Sequence, residues 1–148
     1  MRGLVTRIGI VALVVVGGFI LRPFITGNAG QLSVGDCFDP PASTVETVED
    51  VQHHPCTDEH GAEVFFVGDY PGSKSDPYPT DDEMLAWLTE KCIPAAESYT
   101  GKASTLTPDL DIGWFQPTED GWKGDDQGVI CYLYRLDETM FKGSLKAG

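Results

Sequence analysis

Ile8 to Leu21 are fourteen uncharged, mostly apolar residues set between Arg7 and Arg22, and every cysteine of the chain lies beyond them. An apolar run behind a basic N-terminus directs the downstream chain across a membrane, into a compartment that permits disulfides. Arg2 and Arg7 precede the run, so the positive-inside rule keeps the N-terminus cytoplasmic and places Gly27 onward outside. At ~1.5 Å per residue the run covers roughly 21 Å, short of a hydrocarbon core of about 30 Å. Carried through Phe24 and Ile25 it covers roughly 27 Å, with Arg22 snorkelling toward the outer headgroups. Gly27-Asn28-Ala29 offers a small-x-small cleavage signal, but Arg22-Pro23 is an unusual start for a cleavage region. The expectation is an uncleaved single-pass signal-anchor with a short linker over residues 1–30, and an extracytoplasmic domain over 31–148. A cleaved signal is the alternative. Val34-Gly35-Asp36 before Cys37 lacks the apolar and small context of a lipoprotein site.

All 23 acidic residues lie after position 30, against seven basic ones, which leaves the outer part at −16 within a chain of net −13. Such a field repels phosphate backbones and anionic headgroups, and excludes nucleic acid as a partner. The ordinary reading of the surplus is a soluble surface; the functional one is attraction of a cationic partner or Ca²⁺. Cys37, Cys56, Cys92 and Cys131 allow three pairings. None forms a CxxC, so a redox motif has no support. The favoured pairs are Cys37–Cys56 and Cys92–Cys131, because each joins segments expected to be neighbours.

Leu32 to Phe38 and Val45 to His54 read as strands around the turn formers Pro40 to Ser43. Ala62 to Val67 is compact and apolar, a central strand. A loop from Gly68 to Pro79, rich in Pro, Gly, Ser and Asp, reads as the most flexible element. Thr80 is placed as a helix N-cap with Glu83 at the capping-box position. Leu85, Leu88, Cys92, Ala95, Ala96 and Tyr99 make one apolar face, Pro94 should kink or divide the helix, and Gly101 should stop it. Asp111 to Phe115 and Val129 to Leu136 read as strands, with a last short one at Met140 to Leu145. Cys131 shares a face with Val129 and Leu133, so a bridge to Cys92 staples helix to sheet. One helix among antiparallel strands means an α+β domain.

These residues together resemble a known family. Val34-Gly35-Asp36-Cys37-Phe38, Pro55-Cys56 with His60 and Glu63-Val64, and Cys92 with Tyr99 and Gly101 look like the septum-formation domain of actinobacterial cell-envelope proteins. So do Pro117-Thr118, Trp122, Gly124-Asp125, Cys131 and the closing Gly143-Ser144-Leu145. The resemblance spans about Ser33 to Gly148. Two departures stand out: Glu59 where a proline commonly precedes the histidine, and Asp126 where a basic residue commonly follows Gly-Asp. The resemblance implies a place in division or envelope growth more than a mechanism.

Chemistry is sparse. His53, His54, Cys56 and His60 are the residues of metal-ligand type, but a zinc site needs about four converging groups, and His53 and His54 on a strand point to opposite faces. For His60 the ordinary role is hydrogen bonding that fixes the turn after Cys56. Asp125-Asp126 reads as a polar turn in preference to a Ca²⁺ loop, since no EF-hand spacing is present. There is no G-x-S-x-G, S-x-x-K, H-E-x-x-H or phosphate loop. No catalytic residue, metal or cofactor is assigned. His60, Trp114, Trp122, Tyr132 and Tyr134 are the candidates for a binding surface, against the reading of the aromatics as a second core layer. The chain is expected to be a non-enzymatic accessory domain, held to the membrane by its N-terminal helix and bound to a protein partner in the envelope. The rival is a secreted hydrolase or metal-dependent enzyme using His60 with a carboxylate.

Overall fold

The computed structural model describes residues 27–41, 48, 50–102 and 109–148. The expected membrane span over Ile8 to Leu21 lies outside the described residues; among these, no helix is long and apolar enough to cross a membrane. The strands are β1 (Gly27–Asn28), β2 (Cys37–Asp39), β3 (Asp50–His54), β4 (Ala62–Asp69), β5 (Leu110–Phe115) and β6 (Gly128–Arg135). The helices are α1 (Asp81–Thr100) and α2 (Glu119–Lys123). Every pairing is antiparallel, in the spatial order β1-β3-β2-β4-β6-β5, so the expected α+β class holds and β4 is central as its apolar run predicts.

Thr80 accepts from the Glu83 amide while the Glu83 carboxylate accepts from Thr80, a complete capping box, and Gly101 ends α1 at φ 68°. These bonds hold the Glu83 carboxyl below its usual range. Pro94 does not divide the helix: α1 runs unbroken through it. Ile93 and Pro94 lie on the exposed side, where water can satisfy the carbonyl that loses its donor, while Cys92 and Ala96 anchor the opposite side. The buried stripe is Met84, Leu88, Cys92, Ala96 and Tyr99; Leu85, expected inside, is 54% exposed. It packs on Phe65, Val129, Cys131 and Leu133 of the sheet.

Between Val64 and Phe66 the register of β4 against β6 slips, with two steps on β4 facing one on β6. This bulge turns Phe65 and Phe66, consecutive in sequence, both toward the helix side. On the other face Phe38, Val51, Ala62, Val64 and Ile130 form a second core with Ala29 and Leu32. The Phe38 ring lies 5.9 Å from Phe115 of β5, three strand spacings away, or about 14 Å in a flat sheet. The sheet is therefore curled.

Three expectations are corrected by where backbone donors go. The short linker expected to close residues 1–30 instead pairs with β3 through Gly27 and Asn28, and Ala29 and Leu32 after it are buried. The strand expected from Leu32 begins only at Cys37, because Ser33 to Asp36 form a turn with Gly35 at φ 95° and the Ser33 amide donating to Asp36 Oδ2. The strand expected at Met140 to Leu145 is a single bridge between Phe141 and His60: the Leu145 amide donates to the Glu63 carboxylate instead of to a neighbouring strand. Of the strand expected at Val45 to His54, Asp50–His54 is formed, and residues 45–47 and 49 lie outside the described residues.

Candidate functional site

Both disulfides form with the favoured pairing, Cys37–Cys56 and Cys92–Cys131, with Cα separations of 5.3 and 6.3 Å. The register sets what surrounds the first. Cys37 stands opposite Glu63 of β4 on one side and His54 of β3 on the other. Facing residues of an antiparallel pair share a side of the sheet, so Glu63 lies beside the disulfide and beneath the end of α1. Its side chain is fully buried and accepts three hydrogen bonds. Tyr99 Oη and Ser144 Oγ donate to Oε1 at 2.5 Å each, and the Leu145 amide donates to Oε2 at 2.6 Å. Burial, the bond to Glu63 and that carboxylate's charge push the Tyr99 phenol up to about 12.

His60 completes this corner. It is fully buried, its ring set edge-on against Phe141 at 4.4 Å between centroids. Its Nδ1 lies 2.9 Å from the Asp58 carbonyl oxygen, which can only accept, so Nδ1 carries a proton and in the neutral ring Nε2 has the lone pair. Nε2 is buried with no hydrogen-bond partner. A Cys37 sulfur, a ring nitrogen of His60 and a Glu63 oxygen all lie within 4.8 Å of one another, the one such grouping among the described residues. The histidines weighed with His60 in the sequence are elsewhere: His54 Nε2 meets Asp39 Oδ2 at 2.7 Å, and His53 pairs with Phe38 on the opposite face. Neither Glu63 nor Ser144 stood out as a site residue in the sequence. The short-range signal was there in Glu63, an acidic residue inside an otherwise apolar strand.

The aromatic candidates divide. Trp122, at the end of the capped α2, is 2% exposed, donates from Nε1 to the Asp76 carbonyl at 2.9 Å and packs against Tyr70 and Tyr78. It pins the loop expected to be most flexible, with Tyr78 Oη donating to the Pro117 carbonyl at 2.7 Å. Asp126 closes the turn before β6 by accepting from the Gly128 amide. Trp114 faces Cys131, whereas Tyr132 and Tyr134 point to the other side, so the three do not share a strand face. They do meet at the rim of a cleft of about 550 Å³, with Asp39, Pro40 and Pro41 on one wall and Glu138 and Met140 closing it. A Cβ at Gly113 would collide with the Tyr132 ring, which lies across β5 at that residue. Burial, then Tyr134, pushes the Tyr132 phenol up to about 12; burial and Asp111 raise Tyr134.

The structure thus offers a closed polar corner and an open aromatic cleft. A family model described as septum formation matches residues 29–145. No curated protein and no solved structure matches the chain.

Proposed function

The chain belongs to the septum-formation family, and on that premise we propose that it is a non-enzymatic accessory domain of an envelope or cell-division membrane complex, anchored by its N-terminal apolar run with the domain outside. The observation that carries this reading is the open cleft at Tyr132, Tyr134 and Met140, walled by prolines and by the carboxylates Asp39 and Glu138. Aromatic and proline surfaces bind by contact area, and the acidic rim favours a partner segment with positive charge. The pair that a hydrolase would need, His60 with a carboxylate, exists as His60 and Glu63, but both are 0% exposed and out of reach of a substrate. An uncleaved anchor also suits the fold, since cutting after Ala29 would sever β1 and free a residue buried in the second core.

A photo-crosslinking residue placed at Met140 in the living cell tests the proposal, with the exposed helix position Leu85 as control. The expected result is a discrete adduct with an envelope or membrane protein from position 140 and none from position 85, in a full-length chain that stays with alkaline-washed membranes. Adducts of equal yield from both positions, or release of the chain from the membranes, would overturn it.

A further inference from the structure

We infer that the Cys37–Cys56 corner is a redox-gated zinc site: once the disulfide is reduced, the thiolates of Cys37 and Cys56, His60 Nε2 and the Glu63 carboxylate close around one Zn²⁺. The site is independent of the cleft and of the anchor. Thiolate, imidazole and carboxylate ligands sit ~2.0–2.3 Å from zinc, which sets neighbouring ligand atoms roughly 3.4–3.8 Å apart in a tetrahedron. Three of the four groups already lie within 4.8 Å of one another, and the fourth sulfur is one bond from the first.

Each group is prepared for the role. The Nδ1 proton of His60 is held by the Asp58 carbonyl, which orients the ring and leaves a lone pair on Nε2, the arrangement that metal-bound histidines use. That nitrogen is otherwise a buried polar atom with nothing to bond. Glu63 is fixed by Tyr99, Ser144 and the Leu145 amide, which supply the outer hydrogen bonds of a ligating carboxylate. Cys37 is buried and Cys56 half-buried, so the Cys56 side is the nearer one to solvent for a small reductant. The chemistry balances. A dithiol gives the disulfide two electrons and two protons and leaves as its own cyclic disulfide; Zn²⁺ then displaces the two thiol protons to solvent. Disulfide sulfur is a poor donor, so disulfide and metal exclude each other. Oxidised, the corner is closed by the S–S bond; where a dithiol reductant reaches the domain, the metal closes it. Cys92–Cys131 clusters with Phe65, Leu88, Val129 and Leu133, and among the described residues no metal-ligand grouping includes it.

The test uses the full-length chain in detergent, reduced anaerobically with a phosphine and titrated with Co²⁺, then Zn²⁺. The expected result is one equivalent of Co²⁺ with a thiolate-to-cobalt charge-transfer band that zinc bleaches, and no band from the oxidised chain. His60→Ala should weaken binding about tenfold or more, while Cys92→Ala with Cys131→Ala keeps the full equivalent. A reduced chain with no band, or full affinity in His60→Ala, overturns the site. Because a variant at a buried position can fail to fold, the unaltered chain carries a second measurement. Zinc should slow alkylation of Cys37 and Cys56 about tenfold or more and leave the rates at Cys92 and Cys131 unchanged; equal protection of all four, or none, overturns it.

Discussion

The two disulfides close loops of 19 and 39 residues and look alike in the sequence, yet they stand in opposite chemical surroundings. Cys92–Cys131 lies within the apolar layer between α1 and the sheet, in one cluster with Phe65, Leu88, Val129 and Leu133. That interface is already closed by hydrophobic burial, and the bridge reinforces it. Cys37–Cys56 lies at the edge of the same layer, beside Glu63 and His60, where shape alone cannot close the structure. There the C-terminal tail is held by hydrogen bonds to one carboxylate, and a mispaired group costs more than a missing contact. A cross-link of one kind thus does two jobs, decided by its neighbours.

The sharpest way to break this comparison is Glu63→Ala. It strands the Tyr99 and Ser144 hydroxyls and the Leu145 amide, and should destabilise the fold by about 4 kcal/mol in denaturant titration. Glu63→Gln keeps one acceptor oxygen and should lose about half as much. A cost below about 1 kcal/mol for Glu63→Ala would make the polar corner no different from ordinary surface.

Next come the bridges themselves. Loop-closure entropy assigns about 4 kcal/mol to Cys92–Cys131 and about 3 kcal/mol to Cys37–Cys56. Paired alanine substitutions, compared in the same titration, should fall in that order. A larger loss at Cys37–Cys56 would show that the corner depends on its cross-link more than loop length predicts.

A smaller effect separates the two sides of the sheet by pH. Tyr99 and Tyr132 are each pushed up to about 12, so between the ordinary phenol value near 10 and about 12 the folded chain holds protons the unfolded chain has released. Their contribution to stability is complete below pH ~10 and is lost as pH rises through that window. Ultraviolet titration should show Tyr99 and Tyr132 ionising late. Glu63→Gln should lower Tyr99 and leave Tyr132 where it is, since only Tyr99 bonds to Glu63. The smallest effect is expected at the half-buried Asp39–His54 pair, where glutamine can still donate to Asp39 and His54→Gln should cost under about 1 kcal/mol.

Much of the fold was legible where a short segment carries its own instruction. The Thr80 to Glu83 box, the Gly101 stop and the inward alternation of Val129, Cys131 and Leu133 depend on spacing alone, and all three stand. Legibility failed where a distant group redirected a local pattern. Pro94 was expected to kink or divide α1; the helix is not divided, and the stripe through Cys92 and Ala96 holds it on its far side. The tail from Met140 has a strand-like pattern, yet beyond Phe141 its amides turn to scattered acceptors, that of Leu145 to Glu63, 82 positions earlier, and that of Gly143 to the Cys56 carbonyl. α2 was hidden because a five-residue helix leaves almost no periodicity; Thr118, its cap, was the available signal. At the candidate site His60 was singled out, while its partner Glu63 was read as part of a central strand.

By itself the sequence determined the acidic balance, the α+β class and the favoured cysteine pairs, because charge, periodicity and residue type are quantities that survive any arrangement in space. Only the tertiary structure decided that Phe65 and Phe66 share a side, that Trp114 parts from Tyr132 and Tyr134, and that His60, Glu63 and Cys37 meet. Those outcomes rest on strand register, where a shift of one residue exchanges the two faces of a sheet, and register is settled by the whole core at once.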